Sequence, residues 1–429
     1  MPGPSASIEF MNSSGQAPGN SKLFYGWWLV GVGFLLQGVV TGIVSYSYGI
    51  VLTPIAAEFS ASRLEMMFGT TASTLVAGLS SPFFGVAMDR YPLRRIASAG
   101  VLLLGGGLLL LSVAQTLWQV TLVYALFMGP AMILMGALLV AVMLARWFSR
   151  RRGTAMGVAA LGTSVCGLLL PLLLQYGIEA VGWRTMLQLL GMGVLVVLLP
   201  MAWLLVTDYP HVRGLTPDGA SSEVSPSPQT GAIPSGSSTR EIFAQRNFWM
   251  VAAVCGVLFA VYSSLLSNLV PFAAGRGFGG EQAALLISVI AIFGMLGKLA
   301  FGMIADRIEL RLGLVAAIVL LLLGLAIYGV GDSYAHLLVA SVFVGIAAGG
   351  MLPVWGSLMA VLFGTANYGR AMGLMSPVMM PLIMFGTLFA GWSFDMTGDY
   401  QLAFIVFGVA LFVALLALTR LRFPSTAAG

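Results

Sequence analysis

The sequence predicts an all-α membrane protein, with twelve transmembrane helices arranged as two pseudo-symmetric six-helix bundles. Three observations carry that expectation. Of 429 residues, 59% are hydrophobic and only 8% are charged, whereas a water-soluble domain carries about a quarter charged residues. Apolar runs of about 20 residues, the length that crosses a bilayer core, recur along the chain. Short motifs also recur roughly half a chain apart.

The spans are predicted near 24–50, 66–88, 96–114, 118–144, 154–177, 185–206, 247–271, 283–305, 312–330, 335–362, 370–393 and 402–421. Charge, Pro or Gly punctuates each of them. Residues 207–246 differ in kind, being rich in Pro, Ser and Gly and poor in large apolar side chains. Such a composition buries no core and predicts a flexible linker. The chain therefore divides into a disordered tail (1–23), a first bundle (24–206), the linker, a second bundle (247–422) and a short tail (423–429).

Basic residues set the orientation. Sixteen of the 20 Lys and Arg residues fall in the tails, the linker and the loops after the even-numbered spans, while Arg63, Arg184 and Arg276 lie opposite. By the positive-inside rule, the basic side, with both termini and the linker, is cytoplasmic. The formal charge of +5 then needs no nucleic-acid partner. Cys166 and Cys255 lie in apolar runs and offer neither a metal cluster nor a disulfide framework. His211 and His336 stand apart from any nucleophile, and no phosphate-binding loop is present. Neither a cofactor nor a catalytic role is expected. The N-terminal stretch to Asn20 has no signal-peptide pattern.

The repeat supports the division into halves. Phe84, Gly85, Asp89 and Arg90 return as Phe301, Gly302, Asp306 and Arg307, 217 residues later. Gly191 returns as Gly408 at the same spacing, and Ala155-Met156-Gly157 returns as Ala371-Met372-Gly373 one residue short of it. Two halves in one orientation suit alternating access around a midplane site.

One charge breaks the apolar pattern. Between Glu281 and Asp306 the predicted eighth helix carries only Lys298. A lysine at bilayer depth costs roughly 2.5–3.5 kcal/mol on insertion scales, and such residues usually face a cavity. The expectation is that Lys298 holds the anionic group of a solute. The alternative is snorkelling, since Lys298 lies about 10 Å of helix rise from Ala305. Gly294 and Gly302, one turn either side, leave room for a ligand or permit close helix packing.

Other polar and aromatic side chains are candidates for the same pocket. Tyr46 and Tyr48 offer hydroxyl donors and aromatic faces, or else sit in an interfacial belt. Gln37 and Asn268 are polar at membrane depth and need partners, whether ligand or neighbouring helix. Tyr124 and Trp355 line the cavity or pack. Asp89, Arg90, Asp306 and Arg307 occupy the repeated turns and are expected to gate rather than bind. The abundant Met residues, Met375, Met379 and Met380 among them, suit pliable packing between moving bundles.

The run from Gly85 to Arg95, with Asp89, Arg90, Arg94 and Arg95, is similar to the loop motif of the major facilitator superfamily, although Pro92 stands where that pattern has Gly. Phe24-Tyr25-Gly26-Trp27-Trp28, Tyr46-Ser47-Tyr48-Gly49, the run Arg146 to Gly153, and Lys298 resemble one branch of it, the bacterial oxalate–formate antiporters and monocarboxylate transporters. The resemblance runs from Phe24 to Arg422. It implies that Lys298 stands where that branch has a carboxylate-binding cation. Gly294 stands where animal monocarboxylate transporters carry an acidic partner, and the second cation of the oxalate antiporters falls near Met379. One anionic group therefore fits better than two.

The resulting expectation is a monomeric secondary transporter of the bacterial inner membrane, moving a small organic anion that carries one carboxylate. With no carboxylate deep in the membrane, two couplings stay open. Either Lys298 loses its proton when the empty site is dry, giving anion–proton symport, or it stays charged and only the loaded carrier crosses, giving exchange with a counter-anion. A proton-driven exporter of amphipathic drugs or metabolites is the alternative function.

Overall fold

The structure, a computed structural model, describes residues 24–61, 63–219 and 238–420. The tails at 1–23 and 423–429 and linker residues 220–237 lie outside the described residues, so the disorder expected of the first tail is not addressed. Among the described residues there is helix and no strand. Helices suit a bilayer because, like closed β-barrels, they satisfy their own backbone groups where no water can.

Among the described residues, twelve helices are long and apolar enough to cross a membrane. The first six are Tyr25–Tyr46, Phe68–Arg90, Leu93–Ser112, Leu117–Trp147, Arg152–Val181 and Trp183–Leu205. The second six are Arg246–Leu269, Leu285–Ala305, Leu310–Val330, Tyr334–Phe363, Tyr368–Phe394 and Gln401–Leu418. They are called spans 1 to 12 below. Most of their ends fall within a few residues of the expected ones, because the charged and glycine-bearing turns that interrupt the hydropathy also end the helices. Gly182, at φ +79°, separates spans 5 and 6, a left-handed backbone angle that glycine reaches without strain.

Spans 1 and 4 depart from the simple expectation. The first was expected as one stretch over 24–50. Instead an α-helix at Tyr25–Thr41 widens into a π-helical turn at Gly42–Tyr46, breaks at Ser47, and restarts as Tyr48–Phe59. At the break the Gly42 carbonyl accepts twice from Ser47, from its amide at 2.9 Å and from its Oγ at 2.8 Å. Span 4 does the same, with a π-turn at Tyr124–Met128 and an extended Gly136 before Ala137–Trp147. Such turns occur often at functional sites.

The two halves meet along two helix pairs. Span 2 packs on span 11, and span 5 on span 8. In both, glycines let the backbones touch: a methyl added at Gly85 would meet the Gly369 carbonyl, and one at Gly153 the Gly302 carbonyl. Gly302 thus serves close packing rather than ligand room. Gly294 is less crowded, with the Gly345 carbonyl 3.5 Å from the position of an added methyl.

The linker is also more ordered at its start than composition suggested. Trp147 Nε1 donates to the Thr207 carbonyl at 2.9 Å, and the Arg213 guanidinium lies 3.7 Å from the centre of the Tyr25 ring. Asp218 accepts the amides of Ser149, Arg150 and Arg151 at 2.8, 2.6 and 3.3 Å. Residues 207–219 are therefore a strap across the basic end of the first half. Polar contacts hold it, together with the buried Pro210 and with Leu215, which packs on the core. A capping box of Ser238 and Glu241 then opens a short helix, Thr239–Ala244, ahead of span 7.

Candidate functional site

Lys298 lies in span 8 and reaches across the seam to span 5. Its ammonium donates to the Ala160 carbonyl at 3.2 Å, to Thr163 Oγ1 at 2.8 Å and to Ser164 Oγ at 2.7 Å. Three acceptors match the three donors of the ammonium. The side chain is half-buried and points between the halves, not toward the nearby helix end. All three acceptors are neutral. A carboxylate is a stronger acceptor than a hydroxyl or carbonyl, because the bond is charge-assisted on both sides. The arrangement can hold a positive charge at rest and exchange its partners for one anionic group.

The acceptors come from spacing. Ala160, Thr163, Ser164 and Gly167 follow one another at helical intervals, and Tyr46 lies against Gly167, one turn beyond Thr163. The sequence reading missed Thr163 and Ser164, which look like ordinary membrane hydroxyls. Their signal was the line that Gly153 and Gly157 begin on the same face. The other half lacks this charge. Ser81 stands 217 residues before Lys298, and its hydroxyl donates to Ser376 Oγ at 3.3 Å.

Beneath Lys298, toward the basic end, the repeated aspartates clamp the seam. Asp306 accepts the amides of Gly153 and Thr154, at the start of span 5, at 2.6 and 2.8 Å. Asp89 accepts those of Gly369 and Arg370, at the start of span 11, at 3.1 and 2.8 Å. Each carboxylate sits on the positive end of a helix in the opposite half. These four bonds tie the halves together at their basic ends. Arg90 and Arg307, beside these aspartates, are exposed.

The other candidates are placed as follows. Tyr46 is 55% exposed, within electrostatic reach of Tyr262 on span 7. Trp355 is buried with no partner for its indole nitrogen among the described residues, and its ring lies 5.8 Å from that of Phe259 on span 7. Tyr48 and Tyr124 pack edge to face at 5.0 Å inside the first half, where the Tyr48 hydroxyl accepts the Thr70 amide at 3.3 Å. Gln37 is buried on span 1, beside Gly38, which packs against Gly162 of span 5. Asn268 is not at the seam. It donates to the Ser264 carbonyl at 2.9 Å, accepts from the Tyr400 hydroxyl at 3.4 Å, and lines a cavity within the second half together with Phe272, Tyr328 and Phe404. Lys298 and Tyr46 thus share the line along span 5, while Tyr48, Tyr124 and Asn268 belong to packing within one half.

The sequence matches the Major Facilitator Superfamily over residues 34–331 and 277–428. Monocarboxylate transporter 11 of mouse is 28% identical, over 89% of this chain and 84% of its own length. Monocarboxylate transporter 13 of cattle is 26% identical, over 90% and 87%. The crystal structure of the human organic anion transporter MFSD10 superposes with a TM-score of 0.68 at 15% identity, covering 92% of this chain and 99% of its own. These relatives are mammalian and lend no support to a bacterial inner membrane, and they are transporters rather than enzymes. With twelve spans and a match that runs through both halves, the chain belongs to the Major Facilitator Superfamily and is a membrane transporter.

Proposed function

We propose that the protein is a secondary active carrier of a small organic anion with a single carboxylate, and that Lys298 is the residue that binds it. The observation that carries this reading is the Lys298 ammonium, placed between the halves with only neutral hydrogen-bond acceptors around it. An incoming carboxylate supplies the missing negative charge. Tyr46 and Trp355 flank the path as donors with aromatic faces, suited to a compact organic anion. The relatives named as monocarboxylate transporters support that substrate class.

The basic face is cytoplasmic in this reading, and the Asp89 and Asp306 clamps close it. Rocking of the halves parts spans 2 and 11, and spans 5 and 8, at that face and exposes Lys298 to the other compartment. Coupling follows from what Lys298 does when empty. If it sheds its proton, anion and proton move together; if it keeps it, the empty carrier stalls and exchange results. We read the protein as a monomer without catalytic function.

A thermal-shift screen against small carboxylates, repeated on Lys298→Ala, tests the binding role. Stabilisation of the parent by a monocarboxylate, absent in the variant, is expected. Equal stabilisation of both would overturn it. Uptake into proteoliposomes under a pH gradient without counter-anion separates symport from obligatory exchange. Transport of amphipathic cations that ignores Lys298 would favour a drug exporter instead.

A further inference from the structure

The tie between Lys298 and span 5 is polarised in one sense. Thr163 Oγ1 donates its own proton to the Ala160 carbonyl at 2.8 Å. Its lone pairs are left for the ammonium, which also reaches Ala160 and Ser164. All three ammonium hydrogens are used, and every acceptor belongs to the other half. Just beneath, the backbones touch, since a methyl added at Gly157 would meet the Lys298 carbonyl. The matching seam between spans 2 and 11 holds a neutral pair instead, Ser81 and Ser376, with their hydroxyls 3.3 Å apart.

Depth decides what the tie does. Span 8 runs from Leu285 to Ala305, so Lys298 lies about 10 Å of helix rise from its basic end and about 20 Å from the other. Thr163 and Ser164 likewise lie on the basic side of the midpoint of span 5, Arg152–Val181. When the halves rock about mid-depth, parting their basic ends lengthens this tie. In the empty protein that strands ammonium hydrogens at bilayer depth, where an unmet polar group is costly. A bound carboxylate removes the cost, because it stays on the ammonium while the helices part.

We infer that the tie of Lys298 to Thr163, Ser164 and the Ala160 carbonyl is a latch released by the solute. It rests the empty protein closed at its basic ends, so that the anion loads from the opposite compartment and leaves at the basic side. The inference rests on the reading of Lys298 as the anion's partner, and adds to it the side on which the empty protein waits.

Thr163→Val with Ser164→Ala leaves the ammonium a single carbonyl. Without solute, the ratio of molecules open at the basic ends to those closed should then rise about ten-fold, the scale of one hydrogen bond to a charged group. Double electron–electron resonance in nanodiscs reads it, between spin labels at Arg95→Cys and Glu309→Cys, both exposed at the basic ends of opposite halves. Cys166 and Cys255 are changed to alanine in the same full chain.

The variant without hydroxyls should add a longer-distance population, and lactate should add one to the parent. Thr163→Ser with Ser164→Thr keeps both hydroxyls and should keep the parent distribution; opening there would make packing the cause and overturn the latch. An unchanged distribution in the variant without hydroxyls would overturn it too. So would a further shift when the two hydroxyls are removed from a Lys298→Ala background, since they would then hold the seam without the lysine. If the variant without hydroxyls opens but lactate leaves the parent unchanged, the latch stands and the anion reading falls, so the two failures are told apart.

Discussion

Ser164 Oγ lies 2.7 Å from the ammonium of Lys298, and the two residues belong to opposite halves of the chain. With Thr163 and the Ala160 carbonyl, Ser164 ties the seam through a charge resting on neutral dipoles. In the proposed carrier, an anion breaks that tie and takes its place, which would link binding to movement of the halves.

Replacing Thr163 with valine and Ser164 with alanine removes two of the three acceptors. An ammonium donor left unmet costs about 1–3 kcal/mol. The empty double variant is expected to melt at a lower temperature than the parent, and to gain more from an added monocarboxylate. Melting curves with and without acetate or lactate check this. Identical curves for parent and variant would mean that the hydroxyls do not hold the lysine.

Gly157 should tolerate nothing larger. An added methyl would meet the Lys298 carbonyl and come within 3.2 Å of the Gly302 Cα, whereas nothing lies within 4 Å of one at Gly193. Overpacking costs about 1–3 kcal/mol, while Gly→Ala in an open helix position gains up to about 1 kcal/mol. Gly157→Ala is expected to destabilise and Gly193→Ala to be neutral or mildly stabilising. Thermal melts of the two variants decide, and a silent Gly157→Ala would show slack at the seam.

On the opposite side of the molecule, Arg184 Nη2 donates to Glu58 Oε1 at 2.6 Å and Trp183 Nε1 to Oε2 at 3.0 Å. The Arg184 hydrogen bond holds the Glu58 carboxyl below its ordinary range. A lowered folded-state pKa favours the ionised form in the folded protein. Its contribution is therefore present above the ordinary value of about 4.3 and fades as pH falls through the lowered one. The melting-temperature gap between parent and Glu58→Gln should be present at about pH 7 and close in acid. A gap that persists unchanged to about pH 3 contradicts the pairing.

The spans were legible because hydropathy is a local property and the bilayer imposes their length. Lys298 was legible for the same reason, as one charge in an apolar run. Its partners were not, since Ser164 lies 134 residues away and a hydroxyl in a membrane helix announces no partner. Asn268 stayed open between ligand and neighbouring helix, because a polar side chain at depth reads alike whether it faces the seam or, as here, Tyr400. The strap at 207–219 looked like free linker because composition measures apolar burial, while Asp208 and Asp218 hold it through amides. The breaks at Ser47 and Gly136 were hidden because both residue types are common inside unbroken membrane helices.

The central claim is that the Lys298 charge carries the anion. Initial uptake of a labelled monocarboxylate into proteoliposomes, compared among the parent, Lys298→Arg and Lys298→Ala, tests it most directly. Uptake should survive in part in Lys298→Arg, which keeps a cation at the site, and fall at least ten-fold in Lys298→Ala, as expected when a bond worth about 1.5–3 kcal/mol is lost. Uptake by Lys298→Ala at the parent rate would contradict the account.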